Sequence, residues 1–187
     1  MSRVRNPELK RRQIIDAAHK ILREGGYFKK FSLDSVAKEA GVSKGGLIHH
    51  FESKDALLTA VSQDAARQFE SRVAKEQDNA SQAPGDFLKS YINAVFKQEI
   101  EINSQLSPML LSYISGENNN TRFEFWQKCT DDDGIDPILG TIMRLAIDGL
   151  IYAEMIDKKP IDPTLRQAIQ QRLLKIVEAE KAHKNKN

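Results

Sequence analysis

The chain has 187 residues, 40% apolar and 29% charged, enough to bury one or two cores and stay dissolved. Its net charge of +2 hides an asymmetry, because residues 1–54 carry 12 Lys/Arg against 6 Asp/Glu while residues 55–187 carry 16 against 20. No apolar run approaches the roughly 18 residues of a membrane span, the charged N-terminus lacks the apolar segment of an export signal, and one cysteine, Cys129, excludes an intrachain disulfide framework and fits a reducing cytoplasm.

A basic N-terminal third is what an anionic polymer would select as its partner. Arg3 and Arg5 lie in an arm that reads as disordered, or as reaching a phosphate or a minor groove. Pro7 opens the first helix, where a missing N–H costs nothing. Ile14, Ala17, Ala18, Ile21 and Leu22 form its apolar stripe, and Gly25-Gly26 stops it. Tyr27, Phe28 and Phe31 read as aromatic anchors of a small three-helix head.

Residues 32–54 organise the chain. Ser32 caps a short helix whose face is Leu33, Val36, Ala37 and Ala40. Gly41 follows the last turn, where a left-handed residue is favoured. Val42 plugs the turn. Ser43 caps a second helix, Lys44 to about His50, and Ser53 caps a third with Asp55 in its first turn. This is helix-turn-helix grammar, in which the second helix can lie in a major groove. Gly45-Gly46 weakens that second helix by roughly 1 kcal/mol per glycine. Either packing compensates or the backbone must approach something closely. Leu47 and Phe51, four apart, face the core, and Ile48 and His49 point outward. Adjacent His49 and His50 diverge on a helix and have no Cys or carboxylate at ligand spacing, so no metal is expected.

These residues carry a resemblance. Arg12, Ile15, Ala17-Ala18, Leu22, Gly26, Ser32, Val36-Ala37, Ala40-Gly41-Val42-Ser43, Lys44-Gly45, Leu47, His50-Phe51, Lys54 and Leu57 together resemble the tetracycline-repressor (TetR) family of bacterial regulators. The signature spans about residues 8–60. It implies an all-α homodimer with a DNA-binding head and a ligand-binding, dimerising body. Carried over by position, Ser43, Lys44, Gly45 and Gly46 would meet base edges or the nearest phosphates, and Ser32, which caps the helix before them, is expected among the DNA-binding residues too. His49, His50 and Lys54 would hold the backbone. The family commonly has tyrosine where this chain has Ile48, and a hydroxyl or small side chain at Gly46. Ile48 therefore either packs or meets a thymine methyl.

Beyond the head, a long helix is expected from Asp55 to about Lys75, followed by a polar breaker at 77–85. A second long helix should begin at Phe87 and end near Asn103. Pro108 should open another with Met109 and Tyr113, and residues 116–120 read as a loop. Phe123, Phe125 and Trp126 should start a helix carrying Cys129. Residues 131–134 lack the spacing and closing Glu of a calcium loop and read as a surface turn capping the next helix. Residues 138–156 are apolar nearly all round, so one side should meet the body and the other a second subunit. Gly140, Ala146, Gly149 and Ala153 would allow close helix approach. The last helix, with Leu165, Ile169, Leu173, Ile176 and Val177, completes half of a four-helix interface, and the tail from Lys181 should fray.

The expected architecture is all-α with about nine helices. A head at 1–54 leads through a connecting helix at about 54–76 to a body at 77–187. Its expected work is ligand-responsive transcriptional regulation, most simply repression, at a palindromic double-stranded operator. The homodimer should form through about 137–157 and 162–180. A small-molecule pocket, implied by the resemblance, would draw on Tyr91, Phe96, Met109, Tyr113, Phe123, Trp126, Met143 and Tyr152. No cofactor is expected. No phosphate loop or nucleophile motif supports an enzyme. Two alternatives stand beside this reading: a helical protein-interaction module, and a redox-sensing regulator without a small-molecule effector.

Overall fold

A computed structural model describes residues 6–25, 31–77, 83–97, 120–156 and 161–184. They form eight helices and no strand: α1 (Pro7–Gly25), α2 (Leu33–Glu39), α3 (Lys44–His50), α4 (Lys54–Gln77), α5 (Asp86–Phe96), α6 (Asn120–Asp131), α7 (Pro137–Ile156) and α8 (Pro163–Lys184). No helix among these residues is long and apolar enough to cross a membrane. The chain divides into two compact units, and the division falls inside α4, between Ala66 and Arg67. Tyr27, Phe28, Met109, Tyr113 and Pro108 lie outside the described residues, as do positions 116–119 of the loop expected at 116–120, whose last residue, Asn120, instead begins α6.

The first unit is an aliphatic knot. Ile14, Ala18, Val36, Leu47, Leu57, Leu58 and Val61 are fully or almost fully buried, with Phe31 and Phe51 beside them. Each helix is started by a short polar side chain. Asn6 Oδ1 accepts from Leu9 N at 3.2 Å and caps α1. Ser32 and Ser35 form a reciprocal capping box on α2. Gly41, at φ 65°, ends α2. There Gly41 N donates to Lys38 O and Val42 N to Ala37 O, which satisfies the last carbonyls. Val42 packs partly buried against the core, as a turn plug should.

The second unit has an aromatic and aliphatic core. α8 runs antiparallel to α5, as three contacts show: Arg166 on the carbonyls of Val95 and Phe96, Gln170 on Asn93, and Lys181 on Asp86. These contacts explain two departures from expectation. α5 ends at Phe96 rather than near Asn103, with the buried Arg166 guanidinium taking its last carbonyls at 3.1 Å. The tail does not fray at Lys181, because its ammonium is held 2.9 Å from Asp86 and α8 continues to Lys184.

The acidic turn is also corrected. Asp133 is buried, and its carboxylate accepts from Phe87 N at 2.7 Å and Leu88 N at 3.0 Å. It caps α5, distant in sequence, while Asp136 caps the helix that follows. Capping by a remote carboxylate is needed because α5 starts at Gly85, which has no side chain to offer. Gly85 sits at φ 82°, and a Cβ there would stand 2.6 Å from Val177 Cγ1. Burial raises the Asp133 carboxyl above the usual range, and the two N–H donors oppose that rise.

Candidate functional site

α3 is the element to which the head gives an outer face. Leu47 is wholly buried and Phe51 nearly so, which pins one side of the helix to the core. Burying a leucine contributes roughly 2 kcal/mol. Ser43 caps the helix by accepting from Gly46 N at 3.0 Å. On the opposite side Ser43, Lys44, Gly45, Ile48 and His49 are exposed, while Gly46 and His50 are half-buried. Ile48 does not pack: 42% of its surface is open. The imidazoles of His49 and His50 stand edge to face, 5.6 Å apart.

The remaining expected contacts are placed as follows. Ser32 is exposed at the start of α2 and is occupied by its capping box. Lys44 reaches back across the turn to Asp34 at 3.0 Å, with both side chains more than half exposed. An exposed pair of this kind contributes at most about 1 kcal/mol, so a phosphate can displace the carboxylate. Lys54 lies at the start of α4 with its ammonium 5.6 Å from the Phe31 ring. Ser53 caps α4 through Ala56 N.

One joint in the head escaped the sequence reading. Asp64 on α4 is 5% exposed and receives two side chains from α1. Arg12 Nη1 donates to its Oδ1 at 2.6 Å, and His19 Nε2 lies 3.1 Å from its Oδ2. Arg12 also pairs with Asp16. A carboxylate at an otherwise apolar helix position is the signal that could have found it: Leu57, Val61 and Asp64 share one face of α4.

In the second unit the expected pocket residues separate. Tyr91 and Trp126 meet at 5.5 Å between ring centroids, and Phe69 and Phe87 join them at 5.3–6.0 Å. Met143 is buried in the same core. Phe96 is elsewhere, at the far end of α5 beneath Arg166 at 4.8 Å. The side chains of Phe123 and Tyr152 lie outside those described. Beside the rings runs a polar chain. Tyr91 Oη donates to Asp148 Oδ1 at 2.6 Å, Arg144 Nη1 to Asp148 Oδ2 at 3.0 Å, and Arg144 Nη2 to Gln127 Oε1 at 2.8 Å. Burial raises the Asp148 carboxyl, against the pull of Tyr91 and Arg144. Burial and the neighbouring Asp148 drive the Tyr91 phenol well above its ordinary value. Cys129 is half-buried, and burial raises its thiol as well, which disfavours a reactive thiolate.

The outer side of α7 is apolar. Ile138, Ile142 and Leu145 are 72%, 58% and 50% exposed at helical spacing, with Leu165 of α8 at 55%. Ala146, Gly149 and Ala153 are exposed too. Gly140 is different: a Cβ there would meet Thr130 Cγ2 at 2.8 Å, so its close approach is to α6 of the same chain.

Comparison with known proteins agrees with this arrangement. Residues 14–61 match the family described as bacterial regulatory proteins, tetR family, and residues 85–178 match the tetracyclin repressor-like, C-terminal domain. The HTH-type transcriptional regulator BetI of Klebsiella pneumoniae (strain 342) is 29% identical, over 86% of this chain and 90% of that protein. BetI of Burkholderia thailandensis is 32% identical, over 58% and 54% respectively. Among solved structures, a TetR-family regulator from Agrobacterium tumefaciens superposes with a TM-score of 0.71 at 19% identity, covering 92% of this chain and 99% of that one. The multidrug binding protein EbrR, complexed with ethidium, gives 0.63 at 20% identity, covering 88% and 97%. The chain belongs to the TetR family of helix-turn-helix transcriptional regulators.

Proposed function

We propose that this chain is a ligand-responsive repressor that binds a palindromic operator as a homodimer and leaves it when a small molecule occupies the C-terminal unit. The observation that carries the reading is α3, anchored by Leu47 and Phe51 with its other face bare. Two copies would enter successive major grooves about 34 Å apart. Lys44, His49, His50 and Lys54 would meet phosphates and supply most of the affinity, and Ser43, Gly45, Gly46 and Ile48 would lie nearest the base edges. The head is then residues 1–54, with α4 leading to a ligand-binding and dimerising body from about residue 77. The exposed stripe of α7 with Leu165 of α8 supports a self-complementary interface through about 137–157 and 162–180. The ring cluster around Tyr91 and Trp126, beside Met143, supports an aromatic-lined effector site, and the ethidium held by the similarly folded EbrR favours a flat, apolar effector. A coupling of about 1–3 kcal/mol between the sites would suffice to empty the operator. The cell compartment that fits is the cytoplasm. The raised Cys129 thiol weighs against redox sensing.

The test is a salt series on a selected operator. Lys44→Ala with Lys54→Ala should weaken binding and flatten the slope of log affinity against log salt by about 1–2 per subunit. Ile142→Lys, run in parallel, should give a monomer in analytical ultracentrifugation and lose the operator. An unchanged salt slope in the lysine double variant would remove α3 from the phosphate contacts, and a dimeric Ile142→Lys would move the interface elsewhere.

A further inference from the structure

Ile48 stands in the middle of α3 with 42% of its surface open, while the head core takes Leu47 and Phe51 from the same segment. Gly45 lies one turn earlier on the same side and is also exposed. A methyl group built on Gly45 meets nothing within 4 Å, and its φ is not in the left-handed region. The two neighbouring glycines have reasons internal to the fold. Gly41 holds the turn at φ 65°, and a Cβ on Gly46 would press Ser43 Oγ, the capping atom, at 3.1 Å. Gly45 has neither reason, yet glycine weakens a helix relative to alanine. What it provides is clearance, since the outer backbone of α3 can approach another surface by a methyl's width more closely.

The face so formed has a definite chemistry. Residues 45 and 48 offer no hydrogen-bonding side chain, and exposed Lys44 and His49 flank them. A groove floor read by such a face is read by shape and apolar contact. In the major groove, thymine is the base that presents an apolar group, its C5-methyl. We infer that Ile48 reads the methyl of one thymine in each half-site, and that Gly45 gives the clearance that brings it there. The inference rests on the proposed seating of α3 in the major groove.

The experiment separates the two. The full-length protein first selects its sequence from a randomised duplex library, and one position per half-site should be fixed as thymine. Deoxyuridine is then placed at that position, which removes the methyl and keeps the base pair. The wild-type protein should lose about fourfold in affinity per half-site, the size expected for one methyl withdrawn from water. Ile48→Ala, altered only at an exposed position, should bind thymine and uracil operators equally. Gly45→Ala should melt at the same or a higher temperature yet bind at least about tenfold more weakly, the effect of overpacking a close contact. Equal wild-type affinity for the two operators, a selected site without a fixed thymine, or a full uracil penalty retained in Ile48→Ala overturns the methyl readout and leaves the DNA-binding reading standing. Wild-type affinity in Gly45→Ala overturns the clearance. A library that yields no enriched sequence overturns both the inference and the reading beneath it.

Discussion

The two units bury their polar groups in different ways. The head packs aliphatic side chains and caps its helices with short polar ones, as Ser32, Ser43 and Ser53 show. Its deep carboxylate, Asp64, joins α1 to α4. The body threads a polar chain through three helices, from Tyr91 on α5 to Asp148 and Arg144 on α7 to Gln127 on α6, alongside the contacting rings of Phe69, Phe87, Tyr91 and Trp126. An aliphatic core tolerates small shifts and fixes shape cheaply. A satisfied polar chain in low dielectric specifies one arrangement and is costly when half satisfied. The difference makes the body's interior, more than the head's, the one that a single lost hydrogen bond would disturb.

The largest effect should come from breaking the head's side of that contrast. Leu47→Ala removes a fully buried side chain that holds α3 in place, and should lower the head's unfolding free energy by about 2–5 kcal/mol in urea titrations. A smaller loss would mean that α3 collapses onto the gap. Next comes the body's chain. Asp148→Ala removes the carboxylate that lies 3.0 Å from Arg144, itself 2% exposed. Asp148 is 15% exposed, so the expected loss is about 2–4 kcal/mol, below that of a fully buried pair. Tyr91→Phe keeps the ring cluster and removes one donor, which should cost about 1 kcal/mol. If the two body variants lose equal stability, the chain acts as separate bonds and the contrast with the head weakens.

Sequence reasoning reached the head almost entirely, and the reason is physical. Caps, a left-handed glycine and an apolar stripe are local, so Ser32, Gly41, Ser43, Ser53, Leu47 and Phe51 could be placed by spacing alone. The body's organisation is not local. Asp133 looked like a surface acid because its two backbone partners, at Phe87 and Leu88, are more than forty positions away. Arg166 ends α5 from an even greater distance. The α7 pair was within reach: Arg144 and Asp148 are four apart in an otherwise apolar helix, which marks a charge pair turned inward. The outer stripe of α7 was legible because residues apolar beyond what one face can bury show directly in the pattern. Phe96 was grouped with Tyr91 on residue type, and the fold put Arg166 over its ring instead.

The smallest expected effect sharpens the comparison through pH. His19 is mostly buried, and burial lowers its imidazole below the ordinary value of 6.5; Asp64 pulls it upward and Arg12 pushes it down, both more weakly. The folded head thus favours the neutral ring, whose Nε2–H donates to Asp64. Because the unfolded chain takes up this proton first, the stability that His19 contributes is complete above about pH 6.5 and is lost as pH falls through the lower folded value. His19→Gln keeps an amide donor for Asp64 and cannot titrate. In urea titrations from about pH 7.5 to about pH 5, the wild-type head should lose stability more steeply than the variant, and the gap should close at the alkaline end. Asp148 works with the opposite sign: its raised carboxyl makes a contribution that is complete below the unfolded value and is lost as pH rises through the folded one. Acidification over the same interval should therefore weaken the head through His19 without a matching loss from Asp148 in the body. Parallel pH slopes in wild type and His19→Gln would place the head's acid sensitivity at a group other than the one wedged between α1 and α4.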